Sequence, residues 1–486
     1  MSFAKKFSIY GLGLGINAVM KFLLVPYYSK ALSTAQFGVV GLIWAIMPVI
    51  ITLITISLQT GLGIKYYTYD KKERSNLCAS IFICITAILF IIMILLKVGG
   101  MNYLQNCVQG LNSEYWYKII LTCYFTGVIN IFLLVFQMEM QSKIYTFFTV
   151  FQNLLTIAIL IFNISYRKMG LLGFVNGNLI STLIIAAILF FLFIIRIDIK
   201  GFEFRKDLLI SVFKLSIASS VGILFGQILN AGDRYILERI TNSLVYVGQY
   251  TMGYKIGEVY NNFYVATFLL VSNPVLIKYY SKSLLEYVKQ INKYLELFLF
   301  GTIIVMLIYN SSLSVLFNFI IDKKYEQSQV TTILVALSYA IYGISQLVGI
   351  TILVKEKITA TVIFVIICTI LNIILNIVLI PVFGMNGAAI ATLLSYSILF
   401  IIQMYYSNKL IKINFRYISS LKGILIGSAI AFLQYSTYFL NIGIINESII
   451  KVLLVFVYII LIIRLKLFPY INKKVYIFAK RIINNS

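Results

Sequence analysis

The chain has 486 residues, 61% of them hydrophobic and only 12% charged, with 40 Lys and Arg against 16 Asp and Glu and no histidine. That composition excludes a soluble domain, and the missing histidine removes the commonest acid–base group at neutral pH. The net charge of +24 does not indicate nucleic acid, because the basic residues lie in short segments between apolar runs instead of gathering on one face.

At the N-terminus Lys5 and Lys6 precede the first apolar run, and no small-residue cleavage site follows, so a retained first helix is expected. The runs 77–98, 119–136 and 452–463 hold almost nothing ionisable. About 20 apolar residues cross ~30 Å of hydrocarbon as helix, whereas the alternating strands of a barrel are absent. The pattern predicts an all-α polytopic membrane protein with about 14 transmembrane helices. They fall near 7–29, 38–60, 77–97, 117–138, 144–165, 171–195, 212–232, 246–274, 293–312, 330–353, 358–381, 387–407, 421–438 and 447–465.

Charge placement orients these spans. With a cytoplasmic N-terminus, the loops 61–76, 139–143, 196–211, 275–292, 354–357 and 408–420 and the C-terminal tail all fall inside. With the N-terminus and the residues flanking them, these regions hold about 28 of the 40 Lys and Arg, the bias expected of cytoplasmic segments. Both termini are therefore expected in the cytoplasm.

Three landmarks repeat. Gly38 opens the second predicted helix and Gly248 the eighth, 210 residues later. Ile64-Lys65-Tyr66-Tyr67 recurs as Ile277-Lys278-Tyr279-Tyr280 after 213 residues, and Gly170-x-x-Gly173 as Gly384-x-x-Gly387 after 214. Six helices separate the copies, so both enter the membrane in one direction. This predicts two six-helix lobes, 1–205 and 206–410, related by a pseudo-two-fold along the membrane normal. Residues 411–486 would add two helices and a basic cytoplasmic tail.

An ionisable group in mid-bilayer costs at least ~2.5–3.5 kcal/mol on insertion scales and usually faces a cavity or a partner. Lys21 lies two-thirds through the first helix, with snorkelling as its alternative role. Asp233 and Arg234 sit at the outer end of the seventh. Lys255 and Glu258, spaced i, i+3, lie on one face of the eighth and can pair there. Tyr250, Tyr254, Asn261 and Asn262 extend that face into a hydrophilic stripe. The amides Asn17, Gln227, Asn230, Gln346, Asn372 and Asn376 suit helix–helix contacts. Gly11, Gly13 and Gly15, and prolines 26, 48, 274 and 381, mark places where helices bend. The five cysteines show no metal or redox spacing and read as buried thiols.

Residues 372–395, NIILNIVLIPVFGMNGAAIATLLS, resemble the late signature of bacterial polysaccharide-export flippases, whose superfamily also holds the multidrug and toxin extruders and the lipid II flippases. Residues 31–42, ALSTAQFGVVGL, resemble that family's first external loop and second-helix start. Asp233–Ile236 with Val247-Gly248-Gln249-Tyr250 resembles its seventh-to-eighth helix junction. The resemblance covers roughly residues 1–410. It implies transfer of an undecaprenyl-diphosphate-linked oligosaccharide from the inner to the outer leaflet of the cytoplasmic membrane, for O-antigen or capsule, by alternating access around a polar, partly cationic cavity. Lys21, Lys255 and Arg234 fit an anionic headgroup, and Tyr250, Tyr254 and Asn261 are its sugar-facing candidates. Glu258 and Asp233 are candidates for proton or sodium coupling or for gating. No metal or cofactor is expected, and nucleic acid is not a partner. The expected partners are the lipid-linked substrate, membrane lipids and the polysaccharide polymerase with its chain-length machinery. A lipid II flippase, a cation-coupled multidrug exporter, or a membrane-embedded glycosyltransferase or polymerase are the alternatives. The absence of a large external loop or acidic metal motif weighs against the last, and so does the repeat.

Overall fold

The computed structural model describes residues 3–196, 203–413, 417–440, 443–468 and 470. The predicted basic tail at 471–486 lies outside the described residues. Among those described, every regular element is helical. Backbone groups find no partner in hydrocarbon, so a spanning segment must satisfy its own hydrogen bonds. Eleven helices among the described residues are long and apolar enough to cross a membrane. The chain forms two compact units, Met1–Thr251 with Ile373–Ala388, and Met252–Asn372 with Ala389–Ser486.

The first unit begins with α1 (Phe3–Ala31) and α2 (Thr34–Thr55). A reciprocal cap starts α2: the Ser33 hydroxyl accepts from the Gln36 amide at 3.1 Å, and the Gln36 side chain accepts from the Ser33 amide at 3.1 Å. The predicted helix at 38–60 is two helices. Ile56 and Ser57 take φ of 47° and 49°, which ends α2 before α3 (Leu58–Lys65) begins. α4 (Lys71–Leu95), capped by Asp70 and Glu73, passes through a π turn at Leu96–Gly100 into α5 (Met101–Cys107). α6 (Ser113–Met138) is largely enclosed and packs on α2 and on α8 (Gly170–Arg196), while α7 (Ser142–Ile161) packs on α1.

α9 (Lys206–Ala231) is the seventh predicted span, which the repeat puts at the head of a second lobe. It packs against α2 and α3 within the first unit. A Cβ on Gly61 would come within 2.5 Å of both the Ser216 hydroxyl and the Val212 carbonyl, so α3 and α9 meet almost at backbone contact. Gln227 donates to the Thr52 hydroxyl at 3.1 Å, placing a predicted contact amide between α9 and α2. The short α10 (Asp233–Thr241) then leads to α11 (Leu244–Tyr260). α2 and α11 cross at glycines. A Cβ on Gly38 would lie 2.1 Å from the Leu244 carbonyl oxygen, and one on Gly248 would lie 2.0 Å from that of Thr34.

The second unit takes over within α11, which runs through a π turn at Asn261–Val265 into α12 (Ala266–Lys282). It continues with α13 (Leu284–Val315) and α14 (Ser328–Val354), and ends with α16 (Tyr417–Ser436) and α17 (Ile444–Arg464) packed on α13. α15 (Ile358–Leu410) has 53 residues, or ~80 Å of helix at 1.5 Å each, far more than one crossing needs. It breaks at Gly384, with φ 56° and ψ −134°, three residues beyond Pro381. That is the junction between the predicted spans 358–381 and 387–407.

Candidate functional site

The eight candidate residues separate into accessible and buried groups. On α11, Lys255 donates to Glu258 at 2.8 Å, with side chains 26% and 27% exposed. The i, i+3 spacing creates this pair locally. Partial exposure keeps its net worth near that of a surface pair, ~0–1 kcal/mol. Directly after it the helix widens into the π turn, where Asn261 is half-buried and Asn262 exposed. Single π turns inside α-helices recur at functional sites. Lys255, Glu258 and the two asparagines thus form an accessible polar segment of α11 and the π turn that follows it.

Tyr254 lies on the same helix but is buried, with the Tyr339 hydroxyl donating to its hydroxyl at 3.0 Å. Tyr250 is also fully buried and donates its hydroxyl to Asp233. Arg234 lies 3.9 Å from the other oxygen of Asp233, and its guanidinium carbon is 5.9 Å from the centre of the Tyr250 ring. A carboxylate without solvent persists only where donors and a cation surround it, which Tyr250 and Arg234 supply here. Next in sequence, Tyr235 donates to the Leu42 carbonyl at 2.7 Å and fastens α10 to α2. Asp233, Arg234 and Tyr250 thus form a closed joint between α10 and α11, and neither tyrosine offers its face to a sugar ring in this conformation.

Lys21 is exposed on α1. One turn earlier, Asn17 accepts from Asn153 of α7 at 2.9 Å, the helix–helix contact expected of that amide. Lys21, Lys255, Glu258 and Asn261 are therefore the candidates that a ligand can reach.

Several charged residues escaped the sequence reading. Glu447 and Lys451 form an ion pair inside α17, with side chains only 10% and 7% exposed. Lys451 also donates to Ser314 of α13 at 2.9 Å, as does Ser314 to Glu447 at 3.0 Å. Gln434 of α16 completes the network, donating to the Lys451 carbonyl at 2.9 Å and accepting from Asn310 at 3.1 Å. The i, i+4 spacing of Glu447 and Lys451 was a usable signal, but starting the last span at 447 set both at its edge. On α10, Glu238 is buried as well, and neither of its carboxyl oxygens accepts a hydrogen bond from a described residue. Burial raises its pKa, partly offset by Arg239, whose Nε lies 3.7 Å away.

Comparison with known proteins agrees with this architecture. Over 286 residues the chain is 25% identical to an uncharacterized membrane protein of Haemophilus influenzae, an alignment covering 57% of this chain and 65% of that relative. It thus spans slightly less than two thirds of that protein's length. Among solved structures it is similar to the lipid II flippase MurJ in an inward closed conformation, with a TM-score of 0.71 at 16% identity, covering 94% of this chain and 98% of that one. It is also similar to a multidrug resistance MATE family transporter of the MOP superfamily in an inward-facing conformation, with a TM-score of 0.64 at 15% identity, covering 83% and 98%. These likenesses establish the fold. The family model described as polysaccharide biosynthesis protein matches residues 3–280, more than half of the sequence. The chain therefore belongs to the polysaccharide biosynthesis protein family.

Proposed function

We propose that the protein is a flippase, not an enzyme, that moves undecaprenyl-diphosphate-linked oligosaccharide units from the inner to the outer leaflet of the cytoplasmic membrane for surface polysaccharide such as O-antigen or capsule. The observation that carries this reading is family membership over residues 3–280 on a fold shared with a lipid flippase. The accessible cations support it. Lys21 and Lys255 each present an ammonium suited to a diphosphate, and Glu258 beside Lys255 is our candidate for exchanging a proton or a sodium ion. The MurJ likeness favours lipid II as the second reading.

The test is a clean deletion examined by surface-glycan blotting and by cell-wall precursor analysis. Loss of surface glycan, restored by the wild-type gene, is the expected result. Retained glycan sinks the reading, and accumulation of lipid II instead transfers the assignment to the second. At equal protein level, Lys21→Ala and Lys255→Ala should each lower glycan export about tenfold, the loss of one charge-assisted contact. Association with a polymerase and its chain-length partner is part of the proposal and would be read by co-purification.

A further inference from the structure

A cavity of about 380 Å³ lies within the first unit, at the end predicted to be cytoplasmic, among α4, α6, α8 and the turn after α3. This volume is at the lower end of the range for small-molecule sites and equals roughly a dozen waters of liquid. Its lining is divided. It joins the polar side chains of Arg74, Glu139 and Gln141 to the aromatic rings of Phe132, Phe136 and Phe193.

The polar end is built by three chain segments. Arg74 donates through Nε to the Tyr69 carbonyl at 2.7 Å, and its guanidinium lies over the rings of Tyr66 and Tyr67, 4.9 and 5.7 Å from their centres. No carboxylate of a described residue is within ion-pair distance of it, so its two terminal nitrogens keep their planar fork for another group. Tyr66 is buried and donates its hydroxyl to Glu139 at 3.2 Å, and Gln141 donates to the other Glu139 oxygen at 2.7 Å. Burial, followed by the nearby Glu139, raises the Tyr66 pKa, so the hydroxyl stays a donor at neutral pH. Tyr66 therefore spaces a cationic fork from a carboxylate at the mouth of an apolar chamber.

We infer that this cavity is a binding site for the headgroup end of one zwitterionic aminophospholipid, its phosphate on Arg74, its ammonium on Glu139 and the first carbons of an acyl chain against the phenylalanines. A guanidinium fork matches phosphate oxygens in pairs. The carboxylate discriminates, because it attracts an ammonium and repels a headgroup that is only anionic, whether phosphatidylglycerol or the diphosphate of a glycolipid. Inorganic phosphate would leave the aromatic wall uncovered. Neither Lys21 nor Lys255 lines the cavity, and this inference does not depend on the transported substrate.

The test is native mass spectrometry of the delipidated full-length protein incubated with equimolar palmitoyl-oleoyl phosphatidylethanolamine and phosphatidylglycerol. The expected result is one retained phosphatidylethanolamine, preferred about tenfold. Arg74→Gln should lower retention of both lipids about tenfold. Glu139 is exposed, and Glu139→Lys, accepted only with an unchanged melting temperature, should reverse the preference toward phosphatidylglycerol. Leu192→Trp narrows the chamber and should remove the adduct while leaving the polar end intact. Equal retention of the two lipids by the wild type, an unchanged preference in Glu139→Lys, or displacement of phosphatidylethanolamine by equimolar undecaprenyl phosphate would each overturn the proposal.

Discussion

Gly38 and Gly248, separated by 210 residues, meet where α2 crosses α11, and each leaves room for a carbonyl four residues before the other. The contact is reciprocal: Gly38 faces Leu244, Gly248 faces Thr34, and Leu244 and Thr34 are themselves 210 apart. The two glycines, predicted as equivalent positions of an internal repeat, touch as reciprocally as positions across a two-fold interface do.

Adding a methyl group at either glycine tests the crossing. Alanine is about 1 kcal/mol better than glycine inside a helix, but overpacking against backbone costs typically 1–3 kcal/mol or more. Backbone overlap should win, so Gly38→Ala and Gly248→Ala are each expected to lower the melting temperature of the purified protein and reduce glycan export. The double variant should cost less than the sum, since one separation of the helices relieves both clashes. Two silent single variants would show that α2 and α11 separate freely.

The Asp233 joint makes a second prediction. Removing one member of a buried pair typically costs about 3–5 kcal/mol, because the other is left without compensation. Asp233→Asn should approach that loss. Tyr250→Phe, which removes one hydrogen bond to a charged group, should cost about 1.5–3 kcal/mol. In Asp233→Asn combined with Arg234→Gln, part of the loss should return. Strict additivity in thermal unfolding would contradict the coupling.

Glu447 and Lys451 allow the same comparison deep in the second unit. Glu447→Gln or Lys451→Met should each destabilise by several kcal/mol, about 3–5 at the high end. Replacing both with leucine should be far milder than either single change. A melting series that ranks the double variant lowest would disprove the ion-pair account.

Glu238 predicts a pH dependence. Its folded pKa is raised by burial, so between the unfolded and folded values the native state holds the extra proton. Stability from this group is therefore greatest at low pH and declines as pH rises through that window. Glu238→Gln removes the decline. The variant should match the wild type near pH 4 and exceed it at neutral pH in melting temperature. Parallel curves from pH 4 to 8 would exclude the mechanism.

Much of this was legible in the sequence where the cause is local. Apolar run length, the Gly384 break and the Lys255–Glu258 pair follow from neighbours within a few residues. What was illegible depends on distant meetings. Nothing near Tyr250 announces that its hydroxyl belongs to Asp233, 17 residues back across a turn. A tyrosine beside a lysine and a glutamate looks like ligand surface until the joint is seen closed. Tyr66, Arg74 and Glu139 come from segments that read as basic loops. The helix in 38–60 failed at Ile56 and Ser57 because β-branched and polar residues do not signal a left-handed backbone.

The network among α13, α16 and α17 also sets an order of events during synthesis. Asn310 and Ser314 are made more than a hundred residues before Gln434, Glu447 and Lys451. At ~5–20 residues per second, α13 spends roughly ten seconds in or beside the bilayer with polar side chains whose final partners do not yet exist. Those groups must be held by the insertion machinery, by lipid headgroups or by water until the last helix arrives. α16 and α17 thus complete α13, and a chain shortened before α16 would leave α13 permanently as it stood midway through translation.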